Sequence, residues 1–98
     1  MERKEILKIK ETVKWLWKEA NKKRNREDSN ILWYIGEGTS GRAFIYASKD
    51  KVTCYMNISK NGNYGRPTFT LITKKYPYGT SAVGYREALE LLEYDLLC

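Results

Sequence analysis

The chain has 98 residues, enough for one modest hydrophobic core and too few for two domains. Hydrophobic residues make up 42% and charged residues 31%, a globular composition that argues against wholesale disorder. The net charge is +6, histidine is absent, and Cys54 and Cys98 match no zinc spacing, which excludes histidine-ligated metals and histidine acid–base chemistry.

The longest uncharged apolar run in the body of the chain, Ile31 to Ile35, is far too short to span a bilayer. The opening Met1-Glu2-Arg3-Lys4-Glu5 lacks the apolar stretch of a signal peptide, so the expectation is a cytoplasmic protein with no membrane partner. Charge is unevenly spread. Residues 1–30 carry a net +4, residues 31–79 a net +5 and residues 80–98 a net −3. Such a bias favours a polyanionic partner, with solubility as the competing explanation.

From Glu5 to about Arg24, Ile6, Ile9, Val13, Leu16, Trp17 and Ala20 recur at helical spacing and form one apolar stripe. Lys4, Lys8, Lys14, Lys18 and Lys22 fall opposite, and Trp15 projects among them. A tryptophan there either folds back onto a neighbour or meets a partner. That partner can be a duplex, through lysine–phosphate contacts, or another protein, since tryptophan is a frequent interface anchor. The helix is expected to fray through Asn21 to Arg26 and give way to a loop at Asp28-Ser29-Asn30.

Four β-branched and aromatic runs follow, predicted as strands at Ile31 to Ile35, Arg42 to Ser48, Val52 to Ile58 and Thr68 to Thr73. Their short connections, one holding the hairpin signal Asn61-Gly62, imply antiparallel neighbours. After a loop from Lys74 to Gly79, Thr80 or Ser81 is expected to cap a final helix. Its stripe is Tyr85, Ala88, Leu89, Leu92 and Leu96, with Gly84 weakening the first turn and Glu87, Glu90 and Glu93 outside. The expected fold is a single α+β domain over residues 1–98. It is an N-terminal helix, a four-stranded antiparallel meander and a C-terminal helix (α-β-β-β-β-α), with both helices on one sheet face.

The other sheet face is then open. Alternation sends Val52, Cys54, Met56 and Ile58 to the core and Thr53, Tyr55 and Asn57 outward. Tyr55 is expected to share its face with Tyr34 or Tyr46 and with Thr68 and Thr70. Exposed rings flanked by cations form a stacking platform for bases; the alternative is that these tyrosines merely cover a second, partly buried surface. Two loops interleave cations with rings: Lys60, Tyr64 and Arg66 around one, Lys74, Lys75, Tyr76 and Tyr78 around the next. Ordinary solvated turns are the competing explanation.

Gly36-Glu37-Gly38-Thr39-Ser40-Gly41 matches G-x-G-x-x-G but leads into a strand, so the dinucleotide fingerprint fails on context. The stretch from Ile35 to Phe44 resembles the glycine-rich loop of protein kinases, and Lys60 falls near the place of that family's strand lysine. The resemblance spans about a quarter of the chain, and the His-Arg-Asp and Asp-Phe-Gly motifs that phosphoryl transfer requires are missing. The loop then serves as a hairpin connection or an anion-binding loop. In element order alone the chain is similar to double-stranded RNA-binding domains, although only Arg86 stands where that family carries a basic cluster. It is also similar, in order alone, to single-stranded-DNA-binding transcriptional coactivators.

The sequence therefore points to a small, basic, non-enzymatic nucleic-acid-binding protein without a cofactor, either single- or double-stranded nucleic acid being its target. Its candidate contacts are Lys14, Trp15, Lys18, Lys22, Tyr55, Lys60, Tyr64, Arg66, Lys74, Lys75 and Tyr76. The alternative is a regulator or inhibitor encoded by a phage, virus or mobile element that docks on a host protein complex. A homodimer through the sheet is a further option.

Overall fold

The structure, a computed structural model, describes residues 2–38, 41–73 and 76–97. Helix α1 (Arg3–Arg24) contains neither glycine nor proline and buries Ile6, Ile9, Thr12, Val13, Leu16, Glu19 and Ala20. Its C-terminus does not fray as expected. The Arg26 N–H donates to Lys23 O at 3.1 Å and the Glu27 N–H to Lys22 O at 2.8 Å, while Arg26 takes φ 61°. This is a Schellman closure with arginine in the place usually held by glycine. The basic last turn, Lys22-Lys23-Arg24, also suits the negative end of the helix dipole.

Five strands follow, not four: β1 (Tyr34–Glu37), β2 (Ala43–Lys49), β3 (Val52–Asn57), β4 (Thr68–Leu71) and β5 (Thr80–Val83). They form one antiparallel meander in the order β1-β2-β3-β4-β5. The first strand begins three residues later than expected. Ile31 and Trp33 instead pack against the core, and the Trp33 indole N–H donates to Ser29 Oγ at 3.1 Å.

Thr80–Val83 is the larger correction. It does not cap the last helix but pairs with Thr68–Leu71, burying Ala82. Gly84 (φ 88°) turns the chain from this strand into helix α2 (Tyr85–Leu97). Glu87 Oε2 accepts the Val83 N–H at 3.0 Å, so the helix start is capped from within rather than by Thr80 or Ser81.

Both helices pack on the same face of the sheet, α1 against β3 and α2 against β4 and β5. The core joins Ile6, Val13 and Leu16 of α1 with Met56, Phe69 and Leu71 of the sheet and Ala88 and Leu92 of α2. Cys54 lies inside it, where loss of solvation pushes its thiol up to about 12, so it is a protonated packing residue at neutral pH. The helices run antiparallel: Trp17 meets Tyr85 at one end, and Lys10 Nζ meets Glu93 Oε1 at 3.3 Å towards the other. Among the described residues, no helix is long and apolar enough to cross a membrane.

Candidate nucleic-acid interface

The sheet face away from the helices carries a band of aromatic rings. Strand pairing sets Tyr34 beside Tyr46 and Tyr46 beside Tyr55, and places Phe44 opposite Gly36 on one side and Asn57 on the other. The ring centroids of Tyr34 and Tyr46 are 5.7 Å apart, those of Phe44 and Tyr46 5.8 Å, and those of Phe44 and Tyr55 6.2 Å. All are within the usual range for paired aromatics, so the four rings support one another. Tyr34 is exposed and the other three are half-buried. Beyond them, Ser48, Thr53, Thr70 and Ser81 continue the face as a hydroxyl-rich strip.

At its Phe44–Asn57 end the band opens onto a groove of about 680 Å³. Arg42, Asn57, Lys60, Asn63 and Tyr64 contribute to its walls. Arg42 is held there by the β1–β2 hairpin, where the Gly38 N–H donates to Arg42 O at 2.9 Å. Gly41, at φ 73°, takes the left-handed conformation expected of a hairpin glycine. Tyr64 is pinned by a bridge to Ile58, and Lys23 Nζ of α1 lies 6.0 Å from its ring centroid. The ring band thus ends beside a groove whose walls include Arg42 and Lys60, the two meeting at Asn57.

The expected contact residues do not form a single patch. Tyr55 lies in the aromatic band, and Lys60 and Tyr64 line the groove beside it. Arg66 turns instead to the helix side, against Gly84. Lys14 and Lys18 are exposed on α1, across the molecule from the band. Lys22 is spent on the buried Glu19, at 3.5 Å. Trp15 is half-buried on the core with Lys49 Nζ 4.1 Å from its ring centroid, so it folds back onto a neighbour. Tyr76 is exposed in the β4–β5 connection, at the far end of the sheet from Lys60. Lys74 and Lys75 lie outside the described residues. Phe44 and Arg42, absent from the expected set, were accessible through alternation: they lie two and four residues before Tyr46 on the same strand.

No family model, curated protein or solved structure matches the chain.

Charge follows the antiparallel helices. The acidic face of α2 lies beside the N-terminal half of α1, where Lys10 pairs with Glu93. Nearby, Lys51 Nζ reaches Glu5 Oε1 at 2.7 Å and holds that carboxyl below its usual value. At the other end the C-terminus of α1, the start of β2, the β3–β4 connection and the start of α2 come together. Arg24, Arg42, Lys60, Arg66 and Arg86 there form no ion pair among the described residues. Two of the three ion pairs thus lie towards one end of the molecule, and five cations without an ion pair among the described residues mark the other as its basic end.

Proposed function

We propose that this chain is a small, non-enzymatic nucleic-acid-binding domain that takes single-stranded DNA or RNA across its open sheet face. Bases stack on Tyr34, Phe44, Tyr46 and Tyr55, and Arg42 and Lys60 receive the phosphates as the strand leaves the band. The observation that carries this reading is the continuity of the four-ring band with the Arg42–Lys60 groove at Asn57. Aromatic platforms bordered by cations bind single strands with little sequence preference, because every base has a π-face. An open sheet face suits a splayed strand better than a duplex, whose bases are stacked inside. A cytoplasmic setting accords with the free Cys54 thiol.

Fluorescence anisotropy with single-stranded and duplex oligonucleotides of one sequence tests this. The single strand is expected to bind more tightly, and Tyr46→Ala to weaken it by about 1–3 kcal/mol. Arg42→Gln and Lys60→Gln are each expected to reduce the slope of log affinity against log salt by about 0.7. Equal loss of duplex and single-strand binding on mutation, or no binding at about 50 mM salt where phosphate contacts are strongest, overturns it.

A protein partner is favoured by one feature. Leu32 and Ile35 are 70% and 77% exposed beside the unpaired edge of β1, and no charged residue guards the stretch Ile31–Gly36. A stoichiometric protein retained from nuclease-treated lysate, with no oligonucleotide binding, would select that role instead.

A further inference from the structure

Three arginines from three separate elements meet in one groove on the helix side of the basic end. Arg24 comes from the last turn of α1, Arg66 from the β3–β4 connection and Arg86 from the first turn of α2. Trp17, Asn21, Pro67 and Tyr85 complete the walls of this groove of about 510 Å³. The Trp17 and Tyr85 rings pack at 5.1 Å with a 34° tilt.

Among the described residues, no carboxylate lines the groove. Among the described residues, none of the three guanidiniums has an ion-pair partner, whereas Lys10, Lys22 and Lys51 each find an acid. Asn21 Oδ1 accepts from Arg24 Nη1 at 3.3 Å, which steadies that side chain without neutralising it. Arg66 has a seat made for it. A Cβ on Gly84 would lie 3.1 Å from Arg66 Nε, 3.2 Å from Nη2 and 3.3 Å from Cζ, so the guanidinium rests on the bare glycine backbone.

Gathering three cations without a counter-charge costs Coulomb repulsion. A ligand that supplies the missing charge and acceptors relieves it. Guanidinium forks match phosphate oxygens in geometry. A phosphomonoester carries a charge of about −1.5 to −2 with three terminal acceptors, more than the single charge of a backbone diester. We propose that this groove binds a phosphomonoester, with Arg24, Arg66 and Arg86 donating to the phosphate and the Trp17–Tyr85 wall taking the rest of the ligand. The site is independent of sheet-face stacking, since neither the four rings nor Arg42 and Lys60 line it. Its ligand is a terminal phosphate, borne either by a free nucleotide or by the end of a strand.

The test is a titration of the full ¹⁵N-labelled chain, following the arginine Nε–H and tryptophan indole N–H resonances. The probes are a nucleoside 5′-monophosphate and one single-stranded oligonucleotide prepared with a 5′-phosphate and with a 5′-hydroxyl. The Arg66, Arg86 and Trp17 signals are expected to move saturably with a monoester. Movement with the 5′-phosphorylated strand but not its 5′-hydroxyl twin assigns the strand end as source; movement with the mononucleotide alone assigns the free nucleotide. Arg66→Gln is expected to weaken the monoester by about tenfold or more. Gly84→Ala, which keeps all three arginines but unseats Arg66, is expected to do likewise. If Gly84→Ala does not fold, Arg66→Gln alone decides, because Arg66 is exposed and its loss leaves the core intact. Groove signals unmoved by any monoester, equal movement with the two strands, or unchanged affinity in Arg66→Gln overturns the site. Tyr46→Ala is expected to leave these signals responsive while weakening stacking on the sheet, so failure here and failure of the sheet-face interface are separately visible.

Discussion

Gly36 is where the aromatic band is closed. Phe44 swings across the sheet to lie over it, so a Cβ there would sit 2.6 Å from Phe44 Cζ. Large rings commonly cover a strand glycine in this way, protecting its bare backbone while the glycine gives the ring a flat bed. Gly36→Ala must therefore tip the ring away, and because the ring end is half-exposed it can move. The expected cost in stability is about 1 kcal/mol, at the low end for overpacking, with a larger loss in single-strand affinity than in folding. Urea denaturation paired with anisotropy separates the two, and a variant that loses stability but keeps full affinity would remove Phe44 from the interface. The tyrosines of the band were legible in the sequence because period-two alternation groups them once one strand is anchored. Phe44 is less legible because it follows a glycine-rich hairpin whose length leaves the register of its strand open. The side taken by Arg66 is hidden for a different reason: its place in a loop is legible, but no local pattern tells which side of a sheet a long side chain will wrap.

At the level of elements, the hairpin between β2 and β3 holds a visible strain. Lys49 pairs with Val52, leaving the two-residue turn Asp50-Lys51 with φ 48° and 68°. Positive φ at both positions marks a type I′ turn, for which Asp-Gly is the favoured pair. Asp50 is additionally tied to α1, accepting the Thr12 hydroxyl at Oδ2 at 3.2 Å. Lys51 is the misfit, offset by its exposed pair with Glu5. In about 1 M salt, where that pair is screened, Lys51→Gly is expected to raise unfolding free energy by about 1 kcal/mol by relieving left-handed strain. Destabilisation under those conditions would show that the lysine conformation carries no strain. The helices, the meander and the single covered face followed from periodicity and connection length. The fifth strand did not, because Thr80-Ser81 is equally good as a helix cap and only pairing with β4, a tertiary event, decides between the two. The Schellman end of α1 was hidden likewise, since arginine in the left-handed position gives no signal of the kind glycine gives.

For the whole molecule, the segment charges of the sequence translate into space only through the antiparallel helices. A chain basic over its first four-fifths and acidic at its end folds so that the acidic helix lies along the basic N-terminal half of α1. Arg24 late in α1, Arg42, Lys60 and Arg66 in the connections and Arg86 at the start of α2 have no ion pair among the described residues. In the proposed interface Lys14 and Lys18, prominent on a helical wheel, are secondary to Arg42 and Lys60, because the latter adjoin the ring surface and the former are exposed on α1. The most direct measurement is a ¹H–¹⁵N correlation spectrum of the labelled chain, titrated with a short single-stranded oligonucleotide lacking a terminal phosphate. The predicted result is saturable shifts at Arg42, Phe44, Tyr46, Tyr55, Asn57 and Lys60, with Lys14 and Lys18 unmoved. Shifts centred on the exposed face of α1, or none on the open sheet face, would contradict the account.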